Sequence, residues 1–330
     1  MITLGEEVRF DGDGCTLAGT FTEAVNPVAA ALVIAGSGKV DRDSDARLPL
    51  HQKLRTGVTK AVAEALAGAR VSTLRYDKRG VGASNGDYWS AGMAVRLADA
   101  RAALSWLAAR TAGLPLLAVG HSEGTYYAAQ LAADEAVEGA VLLSGPVRPG
   151  GEILAWQTEN VAARLPAAAK IILRLMRTDA IRSQRKNQNR IMASSADVIR
   201  IQGVKVNARW FRDFIAYDPA PVLARIKVPV LAITGGQDVQ VPPDDIAALG
   251  RLVKGPYEGH VVGDLSHLLR PNPESIGPRG YRRAVRQPVS PEVLALITEW
   301  VRGRWGQAST LDGGAAGAEG STGSPHQHAP

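Results

Sequence analysis

Apolar residues in this chain gather in short unbroken runs, set apart by longer stretches of helical period. Val8-Arg9-Phe10 and Thr16-Leu17-Ala18-Gly19-Thr20-Phe21 alternate on either side of Asp11-Gly12-Asp13-Gly14, which predicts an opening β-hairpin. Ala30 to Ala35 is apolar throughout and ends in Gly36-Ser37-Gly38, as a buried strand does at its turn. Val58 to Ala67 has the period of a helix. Val71 to Tyr76 is the next strand, closed by Asp77-Lys78-Arg79-Gly80-Val81-Gly82. Leu97 to Ala109 is again helical; a break at Gly113 and Pro115 leads to a short strand, Leu116 to Val119. Ala140 to Leu143, Val228 to Thr234 and the run from Tyr257 to Val262 complete the strands. Apolar strands without a polar face, alternating with helices, predict an α/β fold: a mostly parallel central sheet with helices on both faces.

The alternation stops between Pro146 and Tyr217. That segment reads as helices only, inserted between two sheet strands, and divides the chain into a core (1–145), a helical lid (146–217), the rest of the core (218–305) and a disordered tail (306–330). Within the lid, Leu165, Ile171, Ile172, Leu173, Leu175 and Met176 either face a pocket or pack on the main domain. Trp156, Trp210, Phe211 and Phe214 carry the same two readings.

Composition narrows the classes. With 330 residues, 45% hydrophobic and 21% charged, there is ample material for a core. The single cysteine, Cys15, excludes an internal disulfide and any Cys-based metal site, and a reducing, cytoplasmic setting is expected. Glu6 and Glu7 spoil any secretory signal at Met1–Phe10, and no apolar run is long enough to span a membrane. Much of the +6 net charge sits at Lys170, Arg174, Arg177, Arg182, Arg185, Lys186 and Arg190, with only Asp179 among them. A solvated helical face is the expectation there, before an anionic-substrate or membrane-surface patch. No nucleic-acid motif is present, the loose pair His326 and His328 makes no metal site, and homo-oligomerisation stays open.

The chemistry concentrates at Gly120-His121-Ser122-Glu123-Gly124. An apolar strand feeds into Gly-x-Ser-x-Gly and a helix follows, the order a nucleophile elbow requires. A serine hydroxyl needs a histidine base, and that base needs a carboxylate to fix its tautomer. Asp238 turns off the end of the Val230–Thr234 strand and is the candidate acid, whereas Asp244 and Asp245 read as N-cap residues of the next helix. His260 lies within a strand; His267 lies in the loop leaving it, so placement favours His267 as base. His51 precedes the acid, and His121 is the elbow's own neighbour. For an oxyanion hole the backbone N–H of Glu123 is one donor, and Ser37, with Gly38 as the alternative, supplies the other. Gly38-Lys39 fails as a phosphate loop, because Val33 and Val40 replace its required glycine and hydroxyl residue, and Gly80-x-Gly82-x-x-Asn85 fails as a dinucleotide loop.

These residues together resemble the serine α/β-hydrolases, in particular the intracellular esterase and serine-aminopeptidase-like branch. The resemblance is carried by Gly36-Ser37-Gly38 with Asp41-Arg42-Asp43, by Leu74 to Ser84, by Gly120 to Gly124, by Asp218-Pro219, by Lys227 to Asp238 and by Ser266-His267. It departs from that pattern at Lys39, where proline is frequent, and at Thr125, where a further glycine is frequent. It implies the α/β-hydrolase fold, a triad of Ser122, Asp238 and His267, a lid over the site, no cofactor and no metal. The expected activity is a carboxylesterase on small-to-medium acyl esters. An amidase or aminopeptidase, with Glu152 or Glu159 receiving a free amine, and an acyltransferase are the enzymatic rivals. A non-catalytic ligand-binding protein is the rival from another class. Asp77 to Gly80 is expected to form a charge network at the sheet edge.

Overall fold

A computed structural model describes residues 5–47, 53–164, 180–271 and 283–306. Its strands are β1 (Glu6–Gly12), β2 (Cys15–Thr22), β3 (Ala29–Ile34), β4 (Ala46–Arg47), β5 (Lys53–Leu54), β6 (Val71–Tyr76), β7 (Leu116–His121), β8 (Gly139–Leu143), β9 (Val198–Ile201), β10 (Val204–Asn207), β11 (Val230–Gly235) and β12 (Tyr257–Val262). Eight of them form one sheet in the order β1-β2-β6-β3-β7-β8-β11-β12. β1 and β2 are the predicted hairpin, and β2 meets β6 antiparallel. From β6 to β12 every pairing is parallel.

Successive side chains of a strand point to opposite faces. In β3, Ala30, Leu32 and Ile34 enter one core while Ala29, Ala31 and Val33 enter the other. β8 and β11 divide in the same way, with Leu142 and Ala232 on the first face and Val141, Leu143 and Ile233 on the second. The first face is covered through Leu104 and Leu107 of the Met93–Arg110 helix, Tyr127 and Leu131 of the Gly124–Ala133 helix, and Leu249 of the Asp245–Leu252 helix. The second is covered by Val62 and Leu66 of the Val58–Gly68 helix and by Val293, Ile297 and Trp300 of the Pro291–Trp305 helix. Apolar runs without alternation therefore mean strands buried on both sides, which only a parallel sheet clad in helices provides. Among the described residues, no helix is long and apolar enough to cross a membrane.

The inserted segment differs from the expectation of helices only. Between the Ala180–Met192 and Ala208–Ala216 helices lies the β9–β10 hairpin. Its turn, Gln202-Gly203, has φ of 49° and 81°, both left-handed, as a two-residue hairpin turn demands. The insertion docks on the core through Ile153, Trp210 and Phe214, which pack with Met93 and Tyr126. Arg182, Arg185, Lys186 and Arg190 of the basic stretch are exposed; Lys170, Arg174 and Arg177, like the apolar residues Leu165 to Met176, lie outside the described residues. His51 and the segment after 306 lie outside them as well. Asp244 sits at the helix N-cap but makes no side-chain cap bond. Asp245 instead turns its buried carboxylate back onto the insertion, accepting from the Val147 amide (3.2 Å) and Arg148 Nε (2.8 Å).

Candidate active site

Why Ser122 stands where it does follows from its two glycines. The chain leaves β7 at His121 and enters the Gly124–Ala133 helix at once, which forces Ser122 to a φ of 53°. Left-handed backbone at a non-glycine residue is strained and persists only where neighbours hold it. Here the Ser122 amide donates to the Leu143 carbonyl (2.9 Å), and Thr125 Oγ1 donates to the Ser122 carbonyl (2.6 Å). A Cβ on Gly120 would collide with the Gly124 carbonyl, and one on Gly124 would collide with that of Ile34. The turn is therefore too tight for side chains at either flank, and the serine projects from it alone.

Asp238 follows β11, and the turn fixes its carboxylate: Oδ1 accepts from the amides of Gln240 (2.7 Å) and Val241 (3.0 Å). Oδ2 faces His267 Nδ1 at 2.8 Å, and His267 Nε2 lies 3.0 Å from Ser122 Oγ. A carboxylate only accepts, so Nδ1 carries the proton and Nε2 is left to accept from the serine. Burial alone would raise the Asp238 pKa; the neighbouring His267 and the two turn amides outweigh it and hold the carboxyl below its ordinary value. His260 is elsewhere, on β12, with Nε2 2.9 Å from Glu258 Oε1.

The His267 loop is anchored from three sides. Ser266 Oγ and its amide both donate to the Arg270 carbonyl (2.9 and 2.8 Å). Arg270 spreads its guanidinium over the carbonyls of Thr56, Gln287 (2.8 Å) and Leu268 (3.0 Å). The third anchor is His121. Its Nε2 lies 2.9 Å from the His267 carbonyl, which only accepts, so His121 is neutral and protonated there. Burial, reinforced by His267, pushes its pKa down to about 4.

The loop after β3 lies close over the elbow, since a Cβ on Gly36 would come 3.1 Å from Ser122 Cβ. Ser37, Gly38 and Glu123 line the same pocket as Ser122, and among the described residues the amides of Ser37 and Glu123 donate to no protein acceptor. Beneath the loop, Lys78 Nζ donates to the Gly36 carbonyl, and burial pushes this ammonium down to about 7. The rest of the Asp77–Gly80 segment is the expected charge network. Asp77 takes Arg42 Nη2 (2.8 Å), and Arg79 Nε reaches Asp99 (2.8 Å).

The Glu123 side chain has a part that sequence reasoning missed. It is 4% exposed, and it accepts from Arg96 Nη1 (2.9 and 3.0 Å), Tyr127 Oη (2.5 Å) and Trp210 Nε1 (2.7 Å). Burial works to raise its pKa, and Arg96 above all, with Lys78, brings it below the ordinary value. One carboxylate thus joins the elbow, the Met93–Arg110 helix and the insertion.

The pocket above Ser122 holds about 430 Å³. Its walls are Tyr126, Ile153, Leu154, Trp210, Phe214 and Val241, and Lys39, Trp89 and Lys205 also line it. Among the described residues, no group of three or more His, Cys, Asp or Glu is arranged to hold a metal ion.

Residues 55–269 match the family described as "Serine aminopeptidase, S33". The chain belongs to this family of α/β-hydrolases. The Esterase EstD of Thermotoga maritima is 22% identical over 284 residues, covering 86% of this chain; the chain spans only 64% of that relative's length. Among solved structures, Est1E of Butyrivibrio proteoclasticus with bound ferulic acid superposes with a TM-score of 0.57 at 18% identity, covering 90% of this chain and 96% of that one. DcsB in complex with its substrate analogue gives 0.61 at 16% identity, with 92% and 99% covered. These likenesses establish the α/β-hydrolase fold.

Proposed function

We propose that this α/β-hydrolase is a serine carboxylesterase acting on apolar acyl esters. The observation that carries the reading is the unbroken line from Asp238 through His267 to Ser122 Oγ at 2.8 and 3.0 Å. As Oγ attacks the ester carbonyl, its proton passes to His267 Nε2, and Asp238 stabilises the imidazolium that forms. The carbonyl oxygen takes up the charge and is met by the amides of Ser37 and Glu123, at the positive end of the Gly124–Ala133 helix. Collapse breaks the C–O bond, the alkoxide takes the proton back from Nε2, and water repeats the sequence on the acyl-enzyme.

The pocket favours an ester over a peptide with a free amino terminus. An ammonium group needs a carboxylate to receive it, and Glu152 and Glu159 are exposed and do not line the described pocket. The one acid that does, Glu123, is committed to Arg96, Tyr127 and Trp210. Two lysines face the pocket instead.

Hydrolysis of 4-nitrophenyl esters from C2 to C12, beside aminoacyl 4-nitroanilides, tests the reading. Esters are expected to turn over, and Ser122→Ala to lower kcat/KM by at least about 10⁴-fold while abolishing fluorophosphonate labelling. Anilide turnover without ester turnover would move the assignment to a peptidase. Folded protein that neither labels nor turns over would make it a binding protein.

A further inference from the structure

Lys39 and Lys205 come from distant parts of the chain and converge on one ring. Lys39 Nζ lies 5.1 Å from the Trp89 centroid and Lys205 Nζ 4.5 Å from it. Both ammonium groups are exposed, and both line the pocket that contains Ser122. Among the described residues, neither forms an ion pair. Their charge is only partly offset. Asp87, whose field reaches Lys205, is turned to the Trp89 amide at 2.9 Å. Glu123 is neutralised by Arg96.

The platform beneath these lysines is a built one. Asn207, at the end of β10, donates through Nδ2 to the carbonyls of Tyr88 (2.8 Å) and Ala91 (3.0 Å), which pins the hairpin bearing Lys205 to the loop bearing Trp89. Tyr88 packs edge-on against Trp89 with centroids 5.4 Å apart, and Arg96 lies 4.9 Å from the Tyr88 centroid. The Trp89 ring holds both ammonium groups together at the pocket wall, where an anion can meet the two charges at once. Deeper in, the walls are apolar.

We infer that the physiological substrate is an ester carrying a carboxylate, which docks against Lys39 and Lys205 while the apolar part fills the pocket below. The inference rests on the esterase reading and names its substrate class. Lys39 and Lys205 are then specificity residues; they act on binding, and their effect is read in discrimination between matched esters.

Two matched pairs test it and also tell which side of the ester bears the charge. Mono-4-nitrophenyl adipate against 4-nitrophenyl hexanoate places the carboxylate on the acyl side. The hexanoyl ester of 4-hydroxybenzoate, against that of its methyl ester, places it on the leaving-group side. One pair is expected to show a preference for the charged member in kcat/KM, shrinking as salt is raised. Lys39→Ala/Lys205→Ala should cut that preference about tenfold, the scale of two partly exposed ion pairs, and Lys205→Glu should reverse it. A preference for the neutral ester in both pairs, or one that ignores the lysines, would overturn the inference. If no ester turns over and Ser122 is not labelled, the esterase reading fails first. The lysine site is then judged by equilibrium binding of mono-4-nitrophenyl adipate to Ser122→Ala. Affinity about tenfold weaker without the lysines supports the site, and equal affinity rejects it.

Discussion

His121 is 6% exposed, donates to the carbonyl of the proposed base and has a pKa of about 4 in the folded protein, against 6.5 for an unhindered imidazole. Between those two values the unfolded chain binds a proton that the native state refuses. Stability from this residue is therefore complete above about pH 6.5 and is lost as pH falls towards 4, up to about 3 kcal/mol. The carboxyls of Asp238 and Glu123, held below their ordinary values, act in the same direction further into acid. His121→Gln keeps a donor for the His267 carbonyl without the titration. Urea unfolding at pH 7, 5.5 and 4.5 should show a shallower acid decline in the variant, by about one proton. Parallel declines would show that His121 does not control it. The residue is legible in the sequence only as the neighbour of the serine. Its use as an anchor depends on a loop 146 positions away, which no local pattern announces.

At the scale of elements, the Glu123 carboxylate is where three of them meet. Arg96 comes from one helix, Tyr127 from the helix after the elbow, and Trp210 from the insertion, where its ring also stacks on Phe214 at 5.0 Å. The three donors are not equivalent. Removing Arg96 leaves a buried charge without its counter-ion, so Arg96→Met should cost about 3–5 kcal/mol in denaturant unfolding. Trp210→Phe keeps the stacking and loses one hydrogen bond, which should cost about 1–2 kcal/mol. Equal costs would mean that the ion pair is not what holds the elbow. The sheet itself was legible, because strands buried on both faces write themselves as unbroken apolar runs. Asp238 was legible for a related reason, since it leaves the end of such a strand, and His267 because it lies in the loop after the half-exposed edge strand β12. The β9–β10 hairpin was not. Its strands are four residues long and half-exposed, and Arg200 and Lys205 interrupt them, so only Gln202-Gly203 between β-branched residues marked a turn. With the hairpin went any sign that Lys205 reaches the pocket.

For the whole molecule, the sheet closes without the insertion. β8 precedes it and β11 follows it, yet the two are adjacent and parallel, pairing Ala140 with Val230 through to Leu143 with Ile233. The ends of the inserted chain also meet: the Gly150 amide donates to the Tyr217 carbonyl at 2.9 Å. A Cβ on Gly150 would collide with the Phe214 carbonyl, so the two passes of chain touch backbone to backbone. We propose on this basis that the insertion is a cap added to a self-sufficient core. Replacing residues 151–216 with a short Gly-Ser linker should then leave a folded protein, because Ser122, Asp238 and His267 all lie outside the excised segment. The cost falls on the docking face, where Met93 and Tyr126 lose Ile153, Trp210 and Phe214, and Glu123 loses one donor. The far-ultraviolet spectrum should keep its α/β form, unfolding should stay cooperative at a lower midpoint, and fluorophosphonate should still label Ser122. Selectivity for acyl length should flatten across C2 to C12, since the walls at Ile153, Leu154, Trp210 and Phe214 are gone. The preference for a carboxylate should vanish with Lys205 and the Asn207 clamp. Loss of labelling in a folded, cooperative core would show that the cap takes part in forming the elbow.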